Sequence, residues 1–350
     1  MYIKPSETSK KKSFEVINDC IECGKCVRNC VMLKHYTTSP KQLFSQEMIL
    51  ETPFSCQLCD HCKAVCPKDI DLRSAFFSLR RDAQKQNLIK TRSVDFHQSN
   101  SFSPIFMSKA NIKKRMFFPG CALAAAKPKI VMDLYQYIRE EDMGIWASCC
   151  GNPTYTLGQD KKFQGQLHML KSTFKENGVE EVIVACQNCH KQFAEHTDLK
   201  VTSIYEILKD KALPIRDDIK ESLVLHDPCP TRHFDLTHES VRAVCDKMAI
   251  PYEEFELSRE KTQCCGSGAM VFITNKMIAD KQSAYRASQS DADMILTYCQ
   301  ECVTTFSKDK PTIHLLDLMF DVKDKPSNLI KKWNNRRQLK VKIDKMNKHL

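Results

Sequence analysis

Eighteen of the nineteen cysteines in this chain fall into a repeated order, and this order limits the possible folds more than any other feature. Two runs of the form Cys-x-x-Cys-x-x-Cys-x-x-x-Cys come first, within residues 20–30 and 56–66. Two sets of five follow, each built around an adjacent Cys-Cys-Gly. The first set is Cys121, Cys149, Cys150, Cys186 and Cys189, and the second set is Cys229, Cys264, Cys265, Cys299 and Cys302. Only Cys245 lies outside the order.

The number and spacing of these cysteines indicate metal ligation. Lys10, Lys11 and Lys12 are followed by no apolar signal segment, and no stretch approaches the roughly 18 apolar residues that a membrane span requires. We therefore expect a cytoplasmic protein. Because cytosolic thiols stay reduced, closely paired cysteines there favour metal sites over a disulfide framework.

The two early runs have the ligand spacing of two [4Fe-4S] cubane clusters. Three cysteines of each run can surround one face of a cubane, and in two-cluster ferredoxins the fourth ligand comes from the other run. Pro67 follows the second run, as in bacterial ferredoxins, whereas Val31 follows the first. A pair of zinc sites is the alternative, because Cys-x-x-Cys also binds zinc. We assign one cluster to Cys20, Cys23, Cys26 and Cys66, and the other to Cys56, Cys59, Cys62 and Cys30.

Beyond residue 115 the sequence repeats itself in two modules of alternating strands and helices. An apolar segment leads into Cys121 in the first module and into Cys229 in the second. A further apolar segment in each module runs into a Cys-x-x-Cys pair. This alternation predicts largely parallel sheets, in which the loops that leave the strands converge on one edge. Five cysteines of each module would then meet at that edge.

The predicted fold is α+β and multidomain, with 42% hydrophobic residues to build its cores. A helical two-[4Fe-4S] ferredoxin-like domain is followed by two repeated α/β cysteine-rich modules with mostly parallel sheets. The predicted segments are a disordered tail (1–12), the ferredoxin-like domain (13–80), a linker (81–115), the first module (116–215), the second module (216–322) and a basic tail (323–350).

Each five-cysteine set resembles the cysteine-rich CCG domain, in which Cys-Cys-Gly stands between an upstream cysteine and a downstream Cys-x-x-Cys. Two such domains behind a two-cluster ferredoxin-like domain are similar to the D-type catalytic iron-sulfur subunit of heterodisulfide reductases, over residues 14–320. Related subunits of anaerobic glycerol-3-phosphate, glycolate and lactate dehydrogenases share this layout.

The resemblance implies a noncubane [4Fe-4S] cluster on each five-cysteine set, with the two clusters holding a disulfide between them. A cubane or a zinc ion is the alternative in each module. The interval between Cys121 and Cys149 holds 27 residues, against 34 between Cys229 and Cys264, and a shorter crossover helix would account for the difference. The candidate catalytic cluster sites are Cys149, Cys150, Cys264 and Cys265.

Two oxidoreductase functions share these clusters. One is a heterodisulfide-reductase-like subunit, in which electrons pass through two cubanes to cysteine-rich sites that reduce a disulfide. The alternative is an electron-transfer subunit between a flavoprotein dehydrogenase and quinone or ferredoxin. The sequence has no glycine-rich nucleotide motif, so a flavoprotein, ferredoxin or membrane cytochrome must be the redox partner. A zinc-binding protein without enzymatic activity is a remote third interpretation.

The formal net charge of +10 is concentrated at the C-terminus, where residues 331–350 hold eight Lys or Arg against Asp344. Because the basic character belongs to this tail, we expect no nucleic-acid partner. The tail is either an amphipathic helix on an anionic membrane, at the inner membrane face, or a solvated charged end. Its apolar residues are Leu329, Ile330, Trp333, Leu339, Val341, Ile343 and Met346.

Several polar residues lie beside the cysteines. Those around Cys229 are His226, Asp227, Arg232 and His233. They suit acid-base or anion-binding roles, but we expect hydrogen bonds that hold the ligands and cap turns. His190 follows Cys189, and it either donates to a cluster sulfur or begins a solvent-facing helix. Cys245 lies on the apolar face of a predicted helix, where we expect a buried core thiol.

Overall fold

The computed structural model describes residues 1–89, 93, 96, 99, 102–322 and 328–347. Its N-terminal region is helical, with seven helices inside residues 1–89 and short loops that carry the cysteine runs. The helices are α1 (Glu7–Asp19), α2 (Lys25–Arg28), α3 (Val31–Tyr36), α4 (Pro40–Phe44), α5 (Glu51–Ser55), α6 (His61–Ala64) and α7 (Leu72–Lys85). Helix α7 is amphipathic: Asp71 caps it by accepting from the Ser74 N–H, and Phe76 and Leu79 are buried.

The first twelve residues differ from the expected disordered tail. Ile3 is buried, and α1 already begins at Glu7. The Ser6 side chain caps α1, and the Asp82 carboxylate of α7 accepts hydrogen bonds from the hydroxyls of Ser6 and Ser9. The lysine-rich composition suggested disorder. The apolar anchor, Ile3, lies outside the periodic pattern of the helix and so did not counter that impression.

The first module is built on one five-stranded sheet. Its strands are β1 (Ser108–Ala110), β2 (Arg115–Phe118), β3 (Met143–Ala147), β4 (Glu181–Val184) and β5 (Lys200–Ser203). They pair in the order β1-β3-β2-β4-β5, with β1 antiparallel to β3 and every other pair parallel. Every residue of β3 and β4 is buried, as expected for a parallel sheet with helices on both faces. The helices are α8 (Cys121–Ala126), α9 (Pro128–Ile138), α10 (Asn152–Thr156), α11 (Asp160–Glu176), α12 (Gln187–His196) and α13 (Ile204–Leu208).

The second module repeats this plan with four parallel strands. They are β6 (Leu223–His226), β7 (Glu253–Glu254), β8 (Met294–Thr297) and β9 (Thr312–His314), in the order β7-β6-β8-β9. The helices are α14 (Asp235–Lys247), α15 (Val271–Thr274), α16 (Lys276–Ala287), α17 (Gln300–Phe306) and α18 (Leu315–Met319). Short 3-10 turns cover Pro104–Phe106, Cys229–Thr231, Arg259–Lys261 and Gly268–Met270. The predicted fold class, a helical region followed by two mostly parallel α/β modules, is confirmed.

The length difference between the two modules lies mainly in one loop. The crossover helix has 11 residues in the first module and 13 in the second, so helix length explains only part of the difference. In the first module β3 is followed by Ser148 and then by the Cys-Cys pair. In the second module residues 255–263 stand between β7 and Cys264. The expectation of a shorter helix was therefore incomplete.

The C-terminal helix α19 (Leu329–Met346) packs on the first module, which contradicts the expectation of a solvated charged end. Contact of its exposed face with a membrane stays a prediction. Leu339 and Ile343 are buried in the core that the two modules share. The Asn335 amide donates to the Ala125 carbonyl oxygen at 2.8 Å, and Lys340 Nζ donates to that of Met107 at 3.1 Å. The sequence did not predict this contact, because the composition of the helix is dominated by Lys and Arg. Most of these side chains project from its outer face. Residues 323–327 and 348–350 of the predicted tail, and nine of the 35 residues of the predicted linker (81–115), lie outside the described residues.

The cores cross the boundaries of the predicted segments. One hydrophobic cluster joins α9 and β2 of the first module to α14 and β6 of the second. Another joins the N-terminal helices to Leu157 of the first module and to Ile278 and Ala279 of the second. Within the described ranges, no helix is both long enough and apolar enough to cross a membrane.

Candidate metal centres

The first cysteine group surrounds a small cavity in the helical region. Cys20, Cys23, Cys26 and Cys66 line it, together with Cys62 at one side. Gly24 makes the turn between Cys23 and Cys26 in a left-handed conformation, with φ +71°. Burial raises the pKa of Cys26 to about 11, and the neighbouring thiols of Cys20, Cys66 and Cys23 add to this shift. The last cysteine of the second run thus lies with the first three of the first run.

The second group is the reciprocal arrangement. Cys30, Cys56, Cys59 and Cys62 line the next cavity, and Cys264 of the second module also reaches it. Burial raises the pKa of Cys56 to about 12 and that of Cys59 to about 11. Without a metal ion such thiols stay protonated, whereas a bound cation favours the thiolate.

In the first module, the ends of three parallel strands bring five cysteines together. Cys121 follows β2, Cys149 and Cys150 follow β3, and Cys186 and Cys189 follow β4. The sulfur atoms of Cys121 and Cys149 are 3.9 Å apart. Gly120 precedes Cys121 with φ +79°, and a Cβ atom there would come within 2.6 Å of the Cys186 Cβ. Glycine is therefore required where the first strand end approaches the third.

The second module repeats the arrangement. Cys229 follows β6, Cys264 and Cys265 follow the loop after β7, and Cys299 and Cys302 follow β8. Hydrogen bonds from the thiols of Cys264 and Cys302 lower the pKa of Cys265, so its sulfur is the preferred thiolate of the set. Hydrogen bonds from Cys149 and Cys189 lower the pKa of Cys150 in the same way. The two modules thus polarise the second cysteine of each Cys-Cys pair alike.

Both five-cysteine sets face one cleft, which we call the shared cleft. Its volume is about 790 Å³, a value that includes space open to the solvent. Nine of the ten cysteines line it. The tenth, Cys264, lines the cavity of the second N-terminal group instead. Within the described part of the chain, no three His, Cys, Asp or Glu side chains converge on one point as the ligands of a single metal ion would. The sulfur-only donors around each cavity are the ligand type of iron-sulfur clusters, so the residues fit such groups.

Comparisons with known proteins agree with this layout. The family model of the cysteine-rich domain (CCG) matches residues 116–194 and 223–307, and that of the 4Fe-4S dicluster domain matches residues 19–71. The chain contains one dicluster domain and two cysteine-rich domains. The dicluster domain implies two [4Fe-4S] clusters.

The chain has relatives at low identity that include a reductase subunit and an iron-sulfur protein. The chain is 26% identical over 355 residues to one subunit of the fumarate reductase (CoM/CoB) of Methanothermobacter marburgensis, with 86% of this chain and 69% of the relative covered. It is 23% identical over 334 residues to an uncharacterized iron-sulfur protein of Methanococcus maripaludis, covering 83% of this chain and 67% of that protein. The chain thus spans about two thirds of these relatives.

One solved structure shares the overall fold. The crystal structure of a hypothetical protein from Helicobacter pylori superposes with a TM-score of 0.50 at 11% identity, over 93% of this chain and 74% of that one. At this identity the likeness concerns the fold alone.

The dicluster domain contacts the second cysteine-rich domain next to its cysteines. Cys59 packs in one hydrophobic cluster with Cys229, Cys264 and Cys265. Arg232 donates to the Cys59 carbonyl oxygen at 3.0 Å and to that of Thr262 at 2.6 Å. His61 Nδ1 lies 3.0 Å from the Lys261 carbonyl oxygen. The loop 255–263, which is absent from the first cysteine-rich domain, supplies Thr262 and Lys261.

The polar residues near Cys229 have structural contacts. The Asp227 carboxylate is fully buried and accepts two hydrogen bonds from Arg242, at 2.7 and 2.8 Å, and one from the Tyr298 hydroxyl at 2.7 Å. Arg242 holds the pKa of Asp227 at about 2, against the effect of burial. His226 is buried, whereas His233 is exposed and lies 3.8 Å from Asp60. The expected ligand-holding hydrogen bonds therefore account for Asp227 and Arg232.

Two further expectations concern His190 and Cys245. His190 is buried and stacks on the Phe234 ring, with 4.2 Å between ring centroids, so it does not begin a solvent-facing helix. Cys245 is fully buried in the core that both cysteine-rich domains share, which confirms the predicted core thiol. Burial raises its pKa to about 12.

Arg80 is a functional residue that the sequence patterns did not indicate. Its guanidinium is fully buried and donates to four backbone carbonyl groups from all three domains. The acceptors are Pro53 at 2.8 Å, Cys56 at 2.6 Å, Thr156 at 2.8 Å and Ala269 at 2.9 Å. The available signal was its position four residues after Phe76, on the apolar face of α7.

Proposed function

We propose that this chain is the iron-sulfur subunit of a reductase that opens a disulfide in the shared cleft. The chain is an oxidoreductase-type iron-sulfur subunit by its domains. The observation that carries the finer proposal is that nine cysteines from two complete five-cysteine sets line a single cleft. A pure relay would have no need to put both sets on one cleft.

The proposed ligands follow the four cysteine groups. Cys20, Cys23, Cys26 and Cys66 hold one cubane of the dicluster domain, and Cys30, Cys56, Cys59 and Cys62 hold the other. Each five-cysteine set holds a noncubane [4Fe-4S] cluster. When bound, these groups supply the one-electron steps and a Lewis-acidic site for sulfur. The domain limits proposed are 13–80 for the dicluster domain, 116–215 for the first cysteine-rich domain and 216–322 for the second.

Reduction of a disulfide consumes two electrons and two protons, and the S–S bond is replaced by two S–H bonds. The chain's own residues form the cleft in which this happens. Pro153, Met270 and Phe272 give it apolar walls, which favour the carbon atoms next to a disulfide.

The electrons must come from a partner subunit of flavoprotein, ferredoxin or membrane-cytochrome type, in the cytoplasm. The relative from Methanothermobacter marburgensis is named as one subunit of a reductase, which supports a multi-subunit assembly. The second candidate is a relay between a flavoprotein dehydrogenase and quinone or ferredoxin. It is favoured by the contact between Cys59 and the second five-cysteine set, which is what an electron path needs.

The test is anaerobic purification with iron analysis, followed by oxidation of the reduced protein by disulfides. We expect about sixteen iron atoms per chain, four for each of four clusters. Cys265→Ala should lower the count by about four, the content of one cluster, whereas the matched variant Cys245→Ala should leave it unchanged. A disulfide should oxidise the reduced wild-type protein and restore its visible absorbance. Zinc instead of iron, or full iron with no response to any disulfide, would contradict the proposal, and the second result would favour the relay.

A further inference from the structure

A second pocket, which we call the side pocket, adjoins the shared cleft. It lies where α7 of the dicluster domain faces α10 and α12 of the first cysteine-rich domain. Cys59 and Cys229 form one end, and Asn152, Asn188 and Cys229 line both the side pocket and the shared cleft. A molecule with its sulfur atoms in the cleft therefore has direct access to the side pocket.

The side pocket carries an excess of positive charge. Arg73 and Lys191 both line it, with side chains 25% and 16% exposed. One carboxylate, that of Glu195, serves both cations at 3.7 Å, which is a long contact for an ion pair. Asp60 lines the neighbouring cysteine cavity instead. Two cations that share one distant anion leave charge available for a ligand.

A buried amide adds an unsatisfied donor. Gln57 is 4% exposed and lines both the side pocket and the cavity of the second N-terminal group, and its Nε2 has no hydrogen-bond partner among the described residues. Buried donors are normally paired in folded proteins, so an unpaired one between two pockets points to a missing acceptor in one of them. On the opposite wall, the Gln192 amide donates to the Asn152 Oδ1 at 3.1 Å, which orients the Asn152 side chain.

We propose that the side pocket binds a carboxylate group of the disulfide substrate, with Arg73, Lys191 and Gln57 as its donors. This inference rests on the proposed function and narrows its substrate class to acidic disulfides. Arg73 offers a planar fork that matches a carboxylate, and Lys191 offers a point charge. The alternative role of the two cations is to balance the charge of cluster thiolates at Cys59 and Cys229.

The experiment compares three disulfides of similar length on the reduced, iron-loaded full chain. The probes are 3,3′-dithiodipropionate with two carboxylates, hydroxyethyl disulfide with none, and cystamine with two ammonium groups. Rates of oxidation are followed by stopped-flow absorbance. We expect an apparent KM for dithiodipropionate at least tenfold below that for hydroxyethyl disulfide, and the highest KM for cystamine. Arg73→Met and Lys191→Met should each remove most of this preference, whereas Lys175→Met, an exposed lysine outside the pocket lining, should keep it.

Calorimetric binding of dithiodipropionate to the oxidised protein separates this inference from the proposed function. Binding that is lost in Arg73→Met and Lys191→Met, at unchanged iron content, supports the side pocket even if no disulfide is reduced, and the absence of reduction then refutes the proposed function alone. Equal oxidation by all three disulfides refutes the inference and leaves the proposed function standing. If the variants shift the cluster midpoint potentials but keep the preference for carboxylates, the cations balance thiolate charge and the inference is overturned.

Discussion

At the scale of single residues, Arg80 is the point where the three domains meet. A guanidinium holds five N–H donors in a fixed plane, and Arg80 uses them on carbonyl groups of the dicluster domain, α10 and the turn before α15. Burial lowers its pKa to about 10, so the side chain still carries its charge at neutral pH. Four backbone carbonyl groups and the Phe54 ring, whose centroid lies 4.9 Å from the guanidinium carbon, stabilise this charge.

We predict that Arg80→Lys lowers the free energy of unfolding by about 3 kcal/mol, because a single ammonium group cannot reach acceptors on all sides and leaves buried carbonyl groups unpaired. Denaturant unfolding under anaerobic conditions measures this. Arg81→Lys is the control, since Arg81 is 40% exposed in its ion pair with Asp160 and should change stability by less than about 1 kcal/mol. Equal effects of the two substitutions would show that Arg80 has no special role.

Single residues also mark how far sequence reasoning can go. The burial of Cys245 could be predicted from helical periodicity, because a thiol on the apolar face of a helix packs in the core. The contacts of Arg80 and Gln57 did not follow, since their partners are backbone groups and a cavity assembled from distant segments. No local pattern encodes such partners.

At the scale of secondary-structure elements, the C-terminal helix α19 has an unexpected role. Leu339 and Ile343 close the core against β1 and α8, and the Arg336 guanidinium lies 4.2 Å from the Phe106 ring centroid. The helix therefore covers the first cysteine-rich domain at β1 and at α8, the helix that begins with Cys121. Its basic face remains in water, which is where long charged side chains belong.

We predict that Leu339→Ala costs about 2 to 5 kcal/mol of stability, since it removes a buried side chain and leaves a cavity. Ile330→Ala, on the same helix, should cost less than about 0.5 kcal/mol because Ile330 is 69% exposed. Chemical denaturation of both variants decides the matter. A tail that served only as a membrane contact would give two equally small changes.

The strands and their cysteines were predictable at this scale, and so was a helix in the tail, whereas the packing of α19 on the first cysteine-rich domain was not. Short apolar runs that end in cysteine pairs indicate parallel strands and the loops that follow them. In α19 the apolar residues are diluted by lysine and arginine, and its partner strand β1 lies more than two hundred residues earlier in the chain. The composition of α19 therefore suggested an exposed helix. Its actual packing depends on contact with a strand that is distant in the sequence.

At the scale of the whole molecule, the shared cores should make the three domains unfold together. Leu157, Ile278 and the N-terminal helices belong to one hydrophobic cluster, and α9 and α14 belong to another. Separate domains linked only by flexible segments would have separate cores. The predicted boundaries between segments thus describe sequence motifs better than they describe units of stability.

We predict that the iron-loaded protein loses its visible cluster absorbance and its tryptophan fluorescence signal at the same denaturant concentration. The two tryptophans are Trp146, buried in the first cysteine-rich domain, and Trp333 in α19, so they report on regions far in sequence from the dicluster domain. Coincident transitions indicate one cooperative unit. Loss of the absorbance well before the fluorescence change would mean that the dicluster domain unfolds alone.

The loop 255–263 makes the two cysteine-rich domains unequal in their contacts with the dicluster domain. If two copies of one fold around a common cleft were identical, an electron donor could pass electrons to either copy equally well. In the second domain this loop brings the Lys261 carbonyl oxygen to His61 of the dicluster domain, next to the contact between Cys59 and the second five-cysteine set. The first domain instead meets the dicluster domain at α7, through Arg80 and Arg81. Repetition of one fold alone would give an electron donor two interchangeable halves, and the eight residues by which the loop 255–263 exceeds Ser148 help to place Cys59 beside the second five-cysteine set.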